Sequence, residues 1–349
     1  MNFNIHNLFK FKIEGTDKNQ LDHFCRDYSY FRTNEEIESE LDIKLSDFIP
    51  DTRDCHIINH KYYIKNNYIY CSDRYKVVKW RFCIQDIDTR PTVYFKGGMF
   101  SETFSRDYII EPLIALKMAQ KGYSLMHASG VALNDKGFIF PACKGVGKTS
   151  TMLNLMEDGG TYLGNEPIII SNNGKVYSFP SYIHFYHYNL KGTSSFSKNL
   201  SAKDRIELEL KHLLYLLSFK YGSFPLDIDH KKLFKKAGDE YPLQGLILLS
   251  KTNRNELNIL ENIEKDALIE RLITINKFEM QYFSDILMAY LYVFPDSITK
   301  SFWKISEDNL RKSLSNIICH EVEIPMKFDQ GVYREINQLI QKTLLMGKK

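Results

Sequence analysis

The segment that most constrains the fold is a short loop with two glycines and a lysine–threonine pair. Residues 142–149 read A-C-K-G-V-G-K-T, which is the spacing of a Walker A motif with alanine in the first position. An apolar strand is predicted over Gly137–Pro141, and a helix is predicted over Thr149–Glu157. Glycines let consecutive N–H groups point at one anion, and a helix amino terminus adds partial positive charge. The sequence therefore predicts a phosphate-binding P-loop between a strand and a helix.

This loop and the first turn of its helix are expected to bind a nucleotide with Mg²⁺. Lys148 would reach the terminal phosphates, and Thr149 would ligate Mg²⁺. The predicted cofactor-binding residues are Ala142, Cys143, Lys144, Gly145, Val146, Gly147, Lys148, Thr149 and Ser150. The alternative is a structural glycine turn that happens to carry a lysine, and the flanking strand and helix favour the functional interpretation.

Chain length and charge limit what else the protein can be. A chain of 349 residues is long for one core, so we expect a large α/β domain and a smaller one. The formal net charge of +3 gives no reason to expect a nucleic-acid or membrane partner. No apolar run approaches the roughly 18 residues of a membrane span. The expectation is a soluble, cytoplasmic protein, and the sequence is compatible with a homo-oligomer.

The cysteines do not indicate a metal site or a disulfide framework. They lie far apart, without the spacing of metal ligands, at Cys25, Cys55, Cys71, Cys83, Cys143 and Cys319. Reduced thiols are the better interpretation in a chain of this size.

The first part of the chain reads as a small β-rich domain, predicted to span residues 1–105. Lys61–Tyr70 is a hairpin signal, with two aromatic and β-branched runs joined by Asn66-Asn67. Further strands are predicted over 77–87 and 91–95. A short helix is predicted over Asn34–Leu41.

The second predicted domain covers residues 106–349. Glu111-Pro112 begins a helix that Gly122 ends. A strand over Leu125–Leu133, carrying His127, is followed by a tight turn and the strand before the loop. Strands joined so closely imply an antiparallel pair.

Further along, Ser201–Phe219 is predicted to be an amphipathic helix. Its apolar stripe consists of Ile206, Leu210, Leu213, Leu214 and Leu217, and core packing is the preferred explanation for it. The preceding segment Gly192–Lys198 is predicted to be a loop that could line an acceptor pocket.

The run from His127 to Glu166 resembles the kinase core of HPr serine kinase/phosphorylase and its relatives, which include small kinases encoded beside ribosomally made peptides. The similarity lies in H-A-S-G-V-A-L, a turn, G-F-I-F-P, the Walker A loop, a helix and a strand ending in a polar pair. Residues 245–260 and 320–340 resemble later strands and helices of that family. The resemblance covers roughly the last two-thirds of the chain. It implies an α/β fold with a PEP-carboxykinase-like nucleotide-binding core of mixed sheet and helices.

The same resemblance implies catalytic roles. His127 matches a histidine that the family places near the reacting phosphate. The family's strand after the P-loop helix ends in two aspartates, one for the proton of the substrate hydroxyl and one near the metal. This chain has Asn165 and Glu166 there. An amide cannot act as a general base, whereas Glu166 keeps a carboxylate. The catalytic candidates are His127, Asn165 and Glu166, and the metal candidates are Thr149 and Glu166.

Two functions follow from this interpretation. The first is an ATP- and Mg²⁺-dependent kinase that phosphorylates a hydroxyl of a peptide or small-molecule acceptor. The second is a nucleotide-binding module with a weakened catalytic pair that acts through a partner. A mechanical P-loop ATPase is disfavoured, because the nearest apolar strands, at 168–171 and 246–250, end in serine rather than in a Walker B carboxylate.

Overall fold

The computed structural model describes residues 1–75, 78–98, 101–187, 189, 200–218, 224–234, 236–261, 263–326 and 329–346. These residues form a mixed α/β fold with large mixed sheets. The chain divides into two compact units, Met1–Ser124 with Asn276–Asp308, and Leu125–Ile275 with Asn309–Lys349. The domain bounds 1–105 and 106–349 stay a prediction.

The strands are β1 (Asn2–Ile5), β2 (Phe9–Gly15), β3 (Arg32–Thr33), β4 (Leu41–Leu45), β5 (His56–Ile58), β6 (Tyr62–Lys65), β7 (Tyr68–Tyr75), β8 (Val78–Gln85), β9 (Thr92–Gly97), β10 (Tyr123–Met126), β11 (Ala128–Leu133), β12 (Lys136–Pro141), β13 (Thr161–Asn165), β14 (Ile168–Ser171), β15 (Lys175–Tyr177), β16 (Ile183–Phe185), β17 (Leu226–Ile228), β18 (Glu240–Lys251), β19 (Asn258–Leu260) and β20 (Ile318–Ile324). The α-helices are α1 (Lys18–Cys25), α2 (Ser101–Ser105), α3 (Glu111–Gln120), α4 (Lys148–Glu157), α5 (Ala202–Leu217), α6 (His230–Leu233), α7 (Lys265–Glu279), α8 (Gln281–Val293), α9 (Phe302–Ser313) and α10 (Gln330–Met346).

The first unit is built on a sheet whose described strands run in the order β3-β1-β2-β4-β9-β8-β7-β6-β5. Buried and half-buried residues alternate along β1, β2 and β4, as expected for strands with one face on a core. The predicted hairpin is confirmed, because β6 and β7 pair antiparallel and Asn67 in the turn has φ 51°. All six cysteines are free.

One prediction in this unit is wrong. Residues 34–40 contain no helix, and strand β4 begins at Leu41. The reason is the alternation of Leu41, Ile43 and Leu45, which are all buried in the sheet core. Pairing of β4 with β2 and β9 outweighs the helical tendency of the acidic residues before it.

The second unit contains a mixed sheet in the order β10-β14-β15-β18-β12-β11-β13, with β20 on β18 and β19 on β20. Strand β18 is parallel to both β12 and β20, so the carboxyl ends of these three strands meet at one edge. Helices α4 and α10 cover the sheet through Met152 and Ile336, which share a core cluster with Phe138 and Ile247. This packing fixes where the loop after β12 leaves the sheet.

The predicted antiparallel pair before the loop is confirmed. Strands β11 and β12 pair antiparallel, and the turn between them holds Asn134 and Asp135 at φ 50° and 57°. The single strand predicted over Leu125–Leu133 is wrong, because it is interrupted at His127. The interruption arises because β11 pairs with β12 and β13, whereas β10 lies beside β14 elsewhere in the sheet.

Helix α5 is present as predicted, but its apolar stripe is not buried as predicted. Ser201 and Asp204 form the predicted capping box. The stripe residues are exposed, with relative exposures of 62% for Ile206, 57% for Leu210, 52% for Leu213, 49% for Leu214 and 66% for Leu217. Leu208 is the buried residue of the helix, and at 3.6 residues per turn it lies opposite the stripe. The expectation that the stripe packs in the core is therefore wrong.

None of the helices among the described residues combines the length and apolar character that a membrane span requires. The predicted loop Gly192–Lys198 lies outside the part of the chain that the structure describes.

Candidate functional site

The loop between β12 and α4, residues 142–147, is called the glycine loop below. Gly145 and Gly147 adopt φ 80° and 128°. A residue with a β-carbon adopts these conformations only at a cost in free energy. Gly147 stands at the N-cap of α4 and has no side chain that could cap the first turn. The N–H groups and the positive end of the helix dipole at this point favour an anion.

Lys148 is the first residue of α4, and its side chain lies back across the glycine loop. It is 3% exposed, and its Nζ donates to the carbonyls of Ala142 at 2.7 Å and Cys143 at 3.1 Å. The same Nζ lies 2.9 Å from Oε1 of Glu166 and 3.0 Å from Nε2 of His127. A buried ammonium is thus held at the base of the loop by two carbonyls, a carboxylate and an imidazole.

Glu166 and His127 meet because β13 pairs with β11. The register places Asn165 opposite Ser129, and the N–H of Glu166 donates to the carbonyl of Ala128 at 3.0 Å. His127 Nε2 consequently lies 3.4 Å from Glu166 Oε1. Glu166 has φ 59°, which costs a residue with a side chain on the order of 1 kcal/mol. Its ion pair and backbone hydrogen bond offset that cost.

The charges around Glu166 keep its carboxylate ionised. Burial by itself raises the pKa of Glu166, but the charges of His127 and Lys148 and the hydrogen bond from Lys148 outweigh it and lower the pKa to about 2. The carboxylate is therefore negative throughout the neutral pH range.

The predicted metal ligands lie next to Asn165. The hydroxyl of Thr149 donates to Oδ1 of Asn165 at 3.3 Å, and Asn165 is 4% exposed. Hydroxyl, carboxylate and amide oxygens are the donors that Mg²⁺ prefers, usually with water and phosphate oxygens completing the octahedron. Within the described residues no group of three or more His, Cys, Asp or Glu side chains is arranged to hold a metal by itself. A Mg²⁺ ion that shares its coordination with a phosphate therefore stays a prediction.

The structure thus brings His127, Lys148, Thr149, Asn165 and Glu166 together. Two other predicted site residues, Ala142 and Cys143, contribute carbonyls to Lys148. Ser150 contacts Asn189, in the segment after β16. The remaining predicted residues belong to the glycine loop, and they are Lys144, Gly145, Val146 and Gly147.

No protein-family model matches this chain, and no curated protein matches it. The similarity to HPr kinase-related proteins therefore stays a hypothesis, and it rests on the motif residues quoted above.

A histidine–aspartate pair that the sequence did not reveal lies near the candidate site. His184 on β16 stands opposite Asp227 on β17, and His184 Nδ1 is 2.7 Å from Asp227 Oδ1. The segment that carries His184 runs from Phe179, which pairs with Gly164 of β13, to Asn189, which contacts Ser150 of α4. No local pattern could have indicated this pair, because its members are 43 residues apart.

The sequence also did not reveal an arginine–glutamate pair. This pair lies near the edge where β12, β18 and β20 end. Arg271 of α7 makes two hydrogen bonds to Glu321, at 2.5 and 2.6 Å, and Ser250 donates to the same carboxylate at 3.1 Å. The hydrogen bonds that Arg271 donates to Glu321 raise the pKa of Arg271 against the effect of burial.

Proposed function

We propose that this protein is an ATP-dependent kinase that transfers a phosphate to a hydroxyl of a peptide or small-molecule acceptor, with Mg²⁺ as cofactor. The observation that carries the proposal is the position of the Lys148 ammonium. It lies at the base of a glycine loop at a helix amino terminus, within 3.0 Å of both Glu166 and His127. Phosphoryl transfer mainly requires positioning and charge neutralisation, and this arrangement offers both.

The parts of the site have distinct tasks under this proposal. The N–H groups of the glycine loop and the amino terminus of α4 bind phosphate oxygens. Lys148 neutralises phosphate charge, and its buried stem fixes where the ammonium can reach. Bound ATP with Mg²⁺ supplies the activated phosphoryl group.

Thr149 and Glu166 are proposed to hold Mg²⁺. Glu166 is suited to this task because it is ionised at neutral pH and stands at the end of β13 beside the first turn of α4. The amide oxygen of Asn165 already accepts from the Thr149 hydroxyl and keeps that side chain in place. As an acceptor, His127 Nε2 orients the ammonium of Lys148, which in turn pairs with Glu166.

Nucleotide binding is tested by the shift in melting temperature that ATP with Mg²⁺ causes, because a ligand that binds the folded state stabilises it by roughly RT ln(1 + [L]/Kd). We expect Lys148→Ala to remove most of this shift. The matched control is Lys136→Ala, which removes a lysine at the other end of β12 and should leave the shift unchanged. An unchanged melting curve of the wild type at millimolar ATP would contradict the proposal.

The second candidate function is a nucleotide-binding module that acts through a partner. The observation favouring it is Asn165, an amide in the position where the family has an aspartate. Asn165→Asp separates the candidates. For a weakened kinase, the second carboxylate should raise ATP turnover, because it adds a negatively charged oxygen donor for Mg²⁺ beside Thr149. A turnover rate at background in both the wild type and Asn165→Asp, with nucleotide binding intact, would favour the module.

A further inference from the structure

The proposed kinase reaction needs a group that accepts the proton of the acceptor hydroxyl, and the end of β13 does not provide a strong one. Asn165 is an amide and has no basic site. Glu166 is a carboxylate, but Lys148 and His127 lie 2.9 and 3.4 Å from its Oε1. This oxygen is already engaged by both groups, and Glu166 is also the proposed ligand of Mg²⁺. The base must therefore come from another segment.

The hairpin of β16 and β17 carries a histidine with the required arrangement. Nδ1 of His184 faces Asp227 at 2.7 Å, and both side chains are about one-third exposed, at 36% and 30%. A carboxylate at Nδ1 fixes the ring with its proton on that nitrogen, which leaves Nε2 as an acceptor. Across the described ranges, no residue bonds the Nε2 of His184.

The segment that carries this histidine contacts elements of the site at both of its ends. Phe179 forms a parallel bridge with Gly164, and its N–H donates to the carbonyl of Leu163 at 2.7 Å. The chain therefore continues alongside β13 toward the end of that strand. Ten residues after Phe179, Asn189 donates to the hydroxyl of Ser150 in the first turn of α4, at 3.3 Å. Along the chain, His184 lies midway between Phe179 and Asn189.

We propose that His184 is the general base of the transfer and that Asp227 is its positioning residue, an inference that rests on the proposed kinase function. Nε2 of His184 takes the proton of the acceptor hydroxyl as its oxygen forms a bond to the γ-phosphorus. The bond from that phosphorus to the β–γ bridging oxygen breaks, and ADP leaves with the electron pair. The imidazolium, stabilised by Asp227, then releases the proton to solvent. The products are ADP, the phosphorylated acceptor and one proton.

The neighbouring histidines are less suited to this role. His127 is already engaged with Lys148 and Glu166. His187 is 3.2 Å from Glu209, and its ring stacks on His212 with 4.0 Å between centroids. His187 is close to His184 in the chain, so it provides the matched control.

The main test compares His184→Gln and His187→Gln in the full-length protein, with ATP turnover and the ATP-induced melting shift measured for each. A base contributes typically ~10²–10⁴-fold, so we expect His184→Gln to lower kcat about a hundredfold or more while the melting shift is retained. His187→Gln should keep kcat within about twofold. Asp227→Asn should lower kcat with little change in the KM for ATP, and Asp227→Glu should recover part of the loss, which a merely structural role would not produce.

Two measurements do not depend on the glutamine variant. Added imidazole should restore turnover in His184→Ala and have no effect on the wild type. In the wild type, diethylpyrocarbonate should modify His184, and bound ATP with an acceptor should slow that modification relative to His187, as read by mass spectrometry.

The results that would overturn the assignment are distinct from those that overturn the kinase. If the wild type transfers phosphate and His184→Gln does so equally well, the base lies elsewhere and the kinase function stands. The assignment of His184 as the base would also be overturned if imidazole did not restore turnover and bound ATP did not protect His184 in the wild type. If the wild type binds ATP and transfers nothing, the kinase proposal fails and the base assignment fails with it.

Discussion

Glu166 has two tasks that a substitution can separate, because it balances a buried ammonium and is the proposed ligand of Mg²⁺. Glu166→Gln keeps the shape of the side chain and removes its charge. Lys148 retains its carbonyl partners, so we expect a loss of about 1–2 kcal/mol in the free energy of unfolding. We also expect ATP turnover to disappear, while the melting shift caused by ATP without metal is largely kept.

Urea unfolding and a turnover assay check these outcomes, with Glu240→Gln as the control. Glu240 pairs with Lys175 at 2.9 Å, but both are nearly half exposed, and such surface pairs contribute about 0–1 kcal/mol. Unchanged turnover in Glu166→Gln would show that the chemistry does not depend on the end of β13.

Glu321 gives a pH-dependent contribution to stability. The hydrogen bond from Arg271 lowers the pKa of Glu321 below its ordinary value of 4.5, against the effect of burial. A carboxyl with a depressed pKa in the folded state stabilises the protein above its unfolded pKa, and this contribution is lost as the pH falls through the folded value. We expect Arg271→Gln to be less stable than the wild type at pH 7, with a smaller difference at pH 3.

Urea unfolding of both proteins at the two pH values measures this effect. Arg254→Gln is the control, because Arg254 bonds Glu323 from a more exposed position, and the pKa of Glu321 does not depend on it. A difference between wild type and Arg271→Gln that is the same at both pH values would contradict the expectation.

The residues of the site differ in how far the sequence could predict them. The Walker A spacing predicts that Lys148 and Thr149 belong to the site, since both directly follow the loop in the chain. His127 and Glu166 could be named from the family resemblance, and the pairing of β11 with β13 explains why they meet. The histidine–aspartate and arginine–glutamate pairs could not be predicted, because strand and helix packing brings their distant members together.

At the scale of elements, α5 shows what an amphipathic pattern does and does not predict. The capping box and the leucine spacing gave the helix nearly to its observed bounds. They did not give the buried side, because periodicity marks an apolar face and not what that face contacts. The core is contacted by Leu208, on the opposite side.

This difference predicts unequal costs for two leucine substitutions in the same helix. Leu208 is 1% exposed in a core cluster, so Leu208→Ala should lower the free energy of unfolding by about 2–4 kcal/mol. Leu213 is 52% exposed, so Leu213→Ala should cost less than about 1 kcal/mol. Both residues are interior helix positions, so helix propensity affects them equally. Equal losses in urea unfolding would show that the leucine stripe is covered in solution.

At the scale of the whole molecule, the first compact unit uses a segment from far along the chain. Residues Asn276–Asp308, which include α8, belong with Met1–Ser124. Within this unit the hydroxyl of Tyr282 donates to Asp73 at 2.9 Å, and Lys61 pairs with the same carboxylate at 2.7 Å. The sequence did not predict this association, because the segment has no motif that links it to the strands it contacts.

Because this unit combines two distant segments of the chain, it predicts how fragments of the protein fold. A fragment of residues 1–124 lacks α8, and with it the ring of Tyr282 that stacks on Tyr108 with 5.1 Å between centroids. It also lacks Phe283, which is fully buried. Removal of a buried aromatic side chain alone costs about 3–5 kcal/mol, which is a large part of the stability of a typical domain. We expect residues 1–124 to be largely unfolded by circular dichroism and hydrogen exchange, and residues 1–124 joined by a flexible linker to 276–308 to fold cooperatively. A fragment of 1–124 with a cooperative thermal transition and slow amide exchange in β7 and β8 would show that the sheet is stable without α8, and would support the domain bounds predicted from the sequence.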